Sequence, residues 1–189
     1  MKTIHANLVF NDTVSEGILT FDQKIKSIKI LNAQKNDNLP YLLPGFIDLH
    51  IHGGGGIDVM DNEDLEPILN THLKHGTTSL LLTTVTAPKE DLIKSFKKIE
   101  NKKNQNTKNE SKILGIHLEG PYINKEKLGA QPDFVRVPEL EELQKLQSIS
   151  QIKTITIAPE ILTPDVINFL NKEKIVIQLG HSNCSYEEA

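Results

Sequence analysis

The sequence predicts an α/β fold in which helices cover a parallel β-sheet, preceded by a small antiparallel β-unit. From residue 45 onward, short apolar runs alternate with segments of helical pattern. The apolar runs are nearly continuous, as is typical of parallel strands that are buried on both faces. Their polar residues fall at the carboxyl ends of the runs, the end at which barrels and doubly wound sheets both bind ligands.

The first 43 residues differ from the rest of the chain. They contain three short β-type runs, which are "HANLVFND", "EGILTFD" and "KIKSIKIL". Turn-forming Asn, Asp and Gly residues separate the runs, and the polar stretch "NAQKNDNLP" follows them. This pattern predicts a small antiparallel unit over residues 1–43 and a separate α/β domain over residues 44–189.

Five apolar runs and four helical segments follow. The predicted strands are "FIDLHIH", "TSLLLTTV", "ILGIHLEG", "TITIAPE" and "IVIQLGH". The predicted helices are "NEDLEPILNTHLKHG", "PKEDLIKSFKKIENKK", "PELEELQKLQSI" and "TPDVINFLNKEK". Asn62, Pro88 and Thr163 are helix start signals, and Gly76 is a stop signal. The polar tract from Asn101 to Ser111 is predicted to be an exposed loop without chemistry.

Composition excludes several classes of protein. The 189 residues are enough for one domain with a core plus a small appendage. A net charge of −4 gives no basic surface for nucleic acid or for an anionic membrane. No apolar run reaches the ~18–20 residues of a membrane span, and the single cysteine suits a reducing compartment. We therefore expect a cytoplasmic protein that binds neither nucleic acid nor membrane.

His50 and His52 end the first predicted strand in "GFIDLHIHGGGG". Residues two apart on a strand point to the same face, so the two imidazoles can share a divalent metal ion. One core histidine and one exposed histidine would give the same pattern. The four glycines that follow allow the backbone to approach a ligand closely, although a flexible loop would also use them.

Glu119 and His181 end two further strands, in "GIHLEGPY" and "QLGHSN". Each has an ordinary explanation, a lysine ion pair for Glu119 and a capping or core role for His181. Four candidate ligands at the same end of three strands nevertheless favour a metal site. Imidazole and carboxylate ligands suit Zn²⁺, Fe²⁺, Co²⁺ or Mn²⁺, and the sequence does not choose among them. Cys184 has no evident base beside it and is predicted to be a small packing residue.

These residues lie within segments that resemble a known family. "LPGFIDLHIHGGGGIDVMD", "HGTTSLLLTTV", "GIHLEGPYINKEKLGAQ", "IAPE" and "LGHSNCSYEEA" are similar to the N-acetylglucosamine-6-phosphate deacetylases of the amidohydrolase superfamily. The similarity runs in order from Pro44 to Ala189. The combination of "HLEGPY", "GAQ" and "GHSN" is specific to the deacetylases, whereas the His-x-His pair marks only the superfamily.

The resemblance implies a (β/α)8 barrel, with about five βα units in this chain, and a small β-sandwich built from both chain termini. It implies hydrolysis of N-acetylglucosamine 6-phosphate to glucosamine 6-phosphate and acetate in amino-sugar catabolism. Glu119 and His181 would bind the main metal, and His50 and His52 a second metal that some members lack. Zn²⁺ is the expected metal, one or two ions per chain. By position, the sugar contacts are Ala130 and Gln131, and Asn183 supports the ligands.

The resemblance also implies residues that this chain does not contain. The family's general acid is an aspartate at the end of the eighth strand, which is expected beyond residue 189. A further histidine ligand and the phosphate-binding residues, some of them from a second subunit, are expected there too. We therefore expect a truncated chain, a homo-oligomer in the full-length form, and instability or association of these 189 residues on their own.

Two alternatives remain open. One is another amidohydrolase, such as a cyclic amidase or a deaminase. Several of these use a modified lysine on the fourth strand, and "TITIAPE" has none. The other is a catalytically inert fragment that binds a metal or a sugar phosphate.

Overall fold

The computed structural model describes residues 1–189, which divide into two compact units, Met1–Gly45 and Phe46–Ala189. Each unit has its own sheet. The assignment of residues 1–43 and 44–189 to two domains stays a prediction.

The first unit is a four-stranded sheet in the order β3-β2-β1-β4. Its strands are β1 (Lys2–Val9), β2 (Val14–Phe21), β3 (Ile25–Asn32) and β4 (Tyr41–Leu42). The first three are antiparallel neighbours, whereas β4 runs parallel to β1. The buried Asn7 side chain donates to the carbonyls of Asn36 and Leu39 and accepts from the Asn36 N–H. These bonds tie the polar stretch after β3 to the sheet, so this stretch is ordered.

The second unit contains the remaining strands and all four α-helices. Its strands are β5 (Phe46–Ile51), β6 (Gly53–Gly54), β7 (Ile57–Asp58), β8 (Thr77–Thr84), β9 (Lys112–Glu119), β10 (Ile152–Ile157) and β11 (Val176–Leu179). Its helices are α1 (Glu66–Lys74), α2 (Lys89–Gln105), α3 (Leu140–Ile149) and α4 (Pro164–Lys172). None of the helices has the length and apolar character needed to cross a bilayer.

Five of these strands form one parallel sheet in the order β11-β10-β9-β8-β5. The five parallel strands with intervening helices confirm the predicted fold class. Every strand pairs with the strand that precedes it in the series, as in consecutive units of a β/α barrel. The pattern of apolar runs and helical segments therefore predicted both the type and the order of the main elements.

The core of this unit lies between the sheet and the helices. Strand residues such as Leu80, Leu82 and Ile116 are fully buried. Phe96 of α2 and Leu143 of α3 are buried in the same cluster. Burial of one such side chain contributes about 1.5–3 kcal/mol. The apolar content of the central strands thus holds the helices on the sheet.

Helix α1 begins at Glu66, three residues later than the start signal at Asn62 predicted. The Asn62 side chain instead accepts a hydrogen bond from the N–H of Asp58, which lies before it in the chain. Asp64 accepts from the N–H of Glu66 at the true helix start. The prediction was wrong here because Asn62 closes the preceding loop rather than capping the helix.

The polar tract from Asn101 to Ser111 is not wholly an exposed loop. Helix α2 continues to Gln105, and Glu110 and Ser111 are buried. Lys102 forms a salt bridge of 2.9 Å with Glu110, and the Ser111 hydroxyl lies 2.6 Å from the Thr77 carbonyl oxygen. The polar composition did not predict this burial, because Glu110 is satisfied by Lys102 within the tract and Ser111 by the distant Thr77.

Candidate metal centre

The carboxyl ends of β5 and β9 deliver three candidate ligands to one edge of the sheet. His50 lies within β5, His52 follows its last residue, and Glu119 is the last residue of β9. Both strands pair with β8 in parallel, so their carboxyl ends meet at the same edge. The structure therefore brings together residues that are 69 positions apart in the chain.

The ligand atoms of His50, His52 and Glu119 all lie within 4.8 Å of one another. Glu119 Oε2 is 2.8 Å from His52 Nε2 and 3.3 Å from His50 Nε2. The two Nε2 atoms are 3.1 Å apart. Metal–ligand bonds of about 2.0–2.1 Å at tetrahedral angles separate neighbouring ligand atoms by about 3.3 Å. Both the donor set and its spacing therefore fit a divalent cation.

His181 faces the other oxygen of Glu119. Its Nε2 atom lies 3.2 Å from Glu119 Oε1, and its Nδ1 atom lies 2.8 Å from the carbonyl oxygen of Lys127. A carbonyl only accepts, so Nδ1 carries the proton and the neutral ring has its lone pair on Nε2. A lone pair that faces a carboxylate oxygen needs a cation or a proton between them. His181 therefore meets Glu119 on the opposite oxygen from His50 and His52, and its role as a metal ligand stays a prediction.

The histidines control the charge of Glu119, which is only 6% exposed. Burial raises the pKa of this carboxyl, but the hydrogen bond from His52, the charges of the neighbouring imidazoles and the hydrogen bond from His181 lower it to about 2. In return, the hydrogen bond to Glu119 raises the pKa of His52, against the opposing effect of its own partial burial. Glu119 is therefore a fixed negative charge at neutral pH, as a cation ligand must be.

His117 lies beneath this cluster and does not extend it. The side chain is fully buried, and its Nε2 atom is 2.7 Å from the Thr156 hydroxyl. Its ring centroid is 4.5 Å from that of His50, with the two rings near perpendicular. Burial, followed by the charge of His50, lowers the pKa of His117 to about 4. At neutral pH it is an uncharged packing partner that limits the positions open to His50.

The predicted sugar contacts, Ala130 and Gln131, lie in the loop after β9, which passes beside His181. A Cβ atom added at Gly129 would lie 3.7 Å from His181 Cε1, and the exposed Ala130 follows Gly129. Gln131 is engaged within the protein, because its Oε1 accepts from the N–H of Thr86 at 2.7 Å. The assignments of Ala130 and Gln131 to the sugar stay predictions.

The sequence did not predict two features of this region. The first is the role of Glu160, whose Oε1 accepts from the backbone N–H of Asn183 at 2.8 Å. The carbonyl of Lys127 orients His181, and no sequence pattern marks a carbonyl for such a contact. The available signal for Glu160 was its place after β10, at the same end of the sheet as the other polar groups. The supporting role predicted for Asn183 stays a prediction.

Residues 41–170 match the model of the amidohydrolase family. The chain is 36% identical to an N-acetylglucosamine-6-phosphate deacetylase of Lysinibacillus sphaericus, over 88% of this chain and 46% of the relative. It is 30% identical to an N-acetylgalactosamine-6-phosphate deacetylase of Escherichia coli O157:H7, over 93% of this chain and 46% of the relative.

Solved structures give the same picture. The crystal structure of the N-acetylglucosamine-6-phosphate deacetylase of Thermotoga maritima superposes with a TM-score of 0.84 at 33% identity. The match covers 99% of this chain and 50% of that one. The corresponding enzyme of Mycobacterium smegmatis superposes with a TM-score of 0.83 at 26% identity. The chain thus spans about half the length of the relatives it matches.

Proposed function

The chain belongs to the amidohydrolase family, and we propose that it forms the metal-binding part of an N-acetylglucosamine-6-phosphate deacetylase of amino-sugar catabolism. In the proposed reaction a water molecule adds to the acetyl carbon and the carbon–nitrogen bond breaks. Acetate leaves, and the amine nitrogen of glucosamine 6-phosphate takes up a proton. The convergence of three imidazoles on the buried carboxylate of Glu119 is the observation that carries this proposal.

We propose one or two divalent ions, with Zn²⁺ as the metal and Fe²⁺, Co²⁺ or Mn²⁺ as alternatives. Glu119 and His181 would hold the main ion, and His50 and His52 a second. When bound, such an ion lowers the pKa of a water molecule to roughly 7 and polarises the amide carbonyl. The separate engagement of the two Glu119 oxygens supports this division, because each oxygen faces a different set of histidines.

The protein's own groups hold and orient the reacting parts. Glu119 supplies the negative charge, and the Lys127 carbonyl keeps the lone pair of His181 directed at the centre. We propose that Ala130 and Gln131 contact the sugar, which is supported by the passage of their loop beside His181. The proton for the leaving amine is assigned to none of the 189 residues. We also propose that the functional form is a homo-oligomer.

Acetate release tests this function. The chain is supplied with Zn²⁺ and N-acetylglucosamine 6-phosphate, both alone and mixed with the separately expressed C-terminal half of the Lysinibacillus relative. We expect the mixture to release acetate, and Glu119→Ala to abolish the release. The matched control is Glu141→Ala, which removes an exposed glutamate on α3 and should leave the rate unchanged.

The outcome separates this function from its alternatives. Faster release from N-acetylgalactosamine 6-phosphate would assign the other sugar, which the 30% identity to the Escherichia coli deacetylase makes the second candidate. Metal binding without acetate release in either arm would contradict the deacetylase proposal and favour an inert binding fragment.

A further inference from the structure

We propose that Glu160 is a positioning residue that joins the two loops beside the candidate metal centre and thereby fixes the ring of His181. Glu160 lies in a single 3₁₀ turn, Pro159–Ile161, directly after β10. One loop follows β9 and contains Asn124 and Lys127, and the other follows β11 and contains His181. The inference rests on the proposed function, since it gives the contact a purpose in binding the metal.

The carboxylate of Glu160 accepts three hydrogen bonds from these two loops. Its Oε1 atom accepts from the Asn124 side-chain nitrogen at 2.8 Å and from the Asn183 N–H at 2.8 Å. Its Oε2 atom accepts from the Ser182 hydroxyl at 2.6 Å. One side chain therefore connects the loop after β9 with both residues that follow His181.

His181 is held from both sides of this connection. The N–H of Asn124 donates to the His181 carbonyl at 2.8 Å, and the Lys127 carbonyl accepts from His181 Nδ1 at 2.8 Å. The backbone of His181 has a φ of 52°, in the left-handed region that side chains other than glycine rarely adopt. Such a conformation persists only where the surrounding contacts enforce it. The bonds of Glu160 to Asn124, Ser182 and Asn183 supply that enforcement.

The charge of Glu160 suits a fixed acceptor. Its partial burial raises the pKa, but the hydrogen bonds from Asn183, Ser182 and Asn124 lower it to about 2. All three partners are neutral donors. The carboxylate therefore stays ionised at physiological pH and keeps all three hydrogen bonds. No lysine or arginine forms a salt bridge that would compete for it.

The first test measures Co²⁺ binding to the 189-residue chain. Calorimetry gives the affinity, and the visible spectrum of the ion reports its coordination. Contacts that orient a metal ligand are typically worth 10–100-fold in metal affinity. We expect Glu160→Ala to weaken Co²⁺ binding by about that factor and to change the spectrum as His181 is lost from coordination. Glu160→Gln should lose less, because its amide oxygen can still accept from Asn124 and Asn183. Glu141→Ala on the exposed face of α3 should bind as the wild type does.

A double-mutant cycle separates positioning from a general effect on folding. If Glu160 acts through His181, then Glu160→Ala should cost no further affinity in a His181→Asn background. An equal loss in both backgrounds would overturn the inference, as would wild-type affinity in the Glu160→Ala variant.

Backbone hydrogen exchange in the metal-free chain gives a readout that does not depend on the metal. We expect Glu160→Ala to accelerate exchange in residues 181–184 and 122–128 while peptides from α2 are unchanged. Wild-type exchange in both loops would overturn the inference. A wild-type chain that bound no Co²⁺ would instead contradict the proposed function and the metal role of Glu160, and the exchange result would still decide whether Glu160 joins the loops.

Discussion

Glu119 acts through both oxygens of its carboxylate. Oε2 faces His50 and His52, and Oε1 faces His181, at 2.8–3.3 Å in every case. An aspartate at this position would be one methylene shorter and could not reach histidines on opposite sides at these distances. The side chain therefore sets the geometry of the whole cluster, in addition to its charge.

The pKa of His52 should depend on this carboxylate. In the metal-free wild type, the hydrogen bond to Glu119 raises the His52 pKa above 6.5. Glu119→Gln removes the negative charge that accepts this hydrogen bond and leaves the lowering effect of burial, so the pKa of His52 should fall. Titration of the His52 ring protons by NMR measures it. The control is Glu126→Gln, a change at an exposed residue, which should leave the His52 pKa unchanged. An unaltered His52 pKa in Glu119→Gln would contradict the ion pair.

The same pair should make stability depend on pH. The pKa of Glu119 falls from 4.5 to about 2 on folding, so its contribution is present above pH 4.5 and is lost as the pH falls toward 2. The His52 pKa rises above 6.5, so its contribution is present below pH 6.5 and is lost at higher pH. The loss of stability caused by Glu119→Gln, relative to the wild type, should therefore be largest between pH 4.5 and pH 6.5. Urea unfolding of the metal-free chain measures this loss. A difference that is constant from pH 3 to 9 would contradict this.

The site residues could be predicted to different extents from the sequence. Strand alternation placed His50 and His52 on one face, and the structure has their Nε2 atoms 3.1 Å apart. The partners of Glu160 are 22–36 positions away in loops, where no periodic pattern links residues. The positive φ of His181 is likewise enforced by distant contacts, which local propensity does not encode.

At the scale of elements, the length of each strand or helix determined whether the sequence could predict it. Five parallel strands and four helices were predicted in type and order, because each has enough apolar residues to show its pattern. The two-residue strands β4, β6 and β7 were missed. The glycine run after His52 forms the small β6–β7 pair, with the Gly53 carbonyl oxygen 3.1 Å from His72 Nε2. Strands so short depend on tertiary contacts and carry no period of their own.

The turn after β9 should be sensitive to a single methyl group. Gly120 has a φ of 67°, and a Cβ atom there would overlap the Thr86 hydroxyl oxygen. Gly56 is the matched control, because its φ is 83° and nothing lies within 4 Å of its Cβ position. The left-handed backbone alone should cost Gly56→Ala about 1–2 kcal/mol of unfolding free energy.

Gly120→Ala should cost about 1–3 kcal/mol more than the control, because the added methyl overlaps Thr86 and displaces Glu119 from its neighbours. Urea denaturation measures both variants. Adding Thr86→Ala to Gly120→Ala should recover part of the difference. Equal costs at Gly56 and Gly120 would show that the crowding is relieved without strain.

At the scale of the whole chain, the parallel sheet has two open edges. β5 and β11 each pair with one neighbouring strand of that sheet. Apolar side chains on these strands are exposed, including Phe46, Ile47 and Leu49 of β5 and Val176 and Leu179 of β11. Open, apolar strand edges are templates for pairing with another chain.

We therefore expect the 189-residue chain to associate on its own. Sedimentation should give species heavier than the 21.2 kDa of one chain. Ile47→Lys combined with Val176→Lys should shift the distribution toward single chains, since charge on an edge strand opposes pairing. A wild-type chain that sediments only as a monomer would contradict this expectation.

The order of strands across the sheet is also the order in which a ribosome makes them. Each strand after β5 is synthesised when one of its neighbours in the sheet already exists. At about 5–20 residues per second, the elongating chain passes from His50 to His181 in roughly 7–26 s. For the later part of that interval Glu119 is present and His181 is not. The three candidate ligands of β5 and β9 are thus synthesised before the fourth, His181, which follows β11.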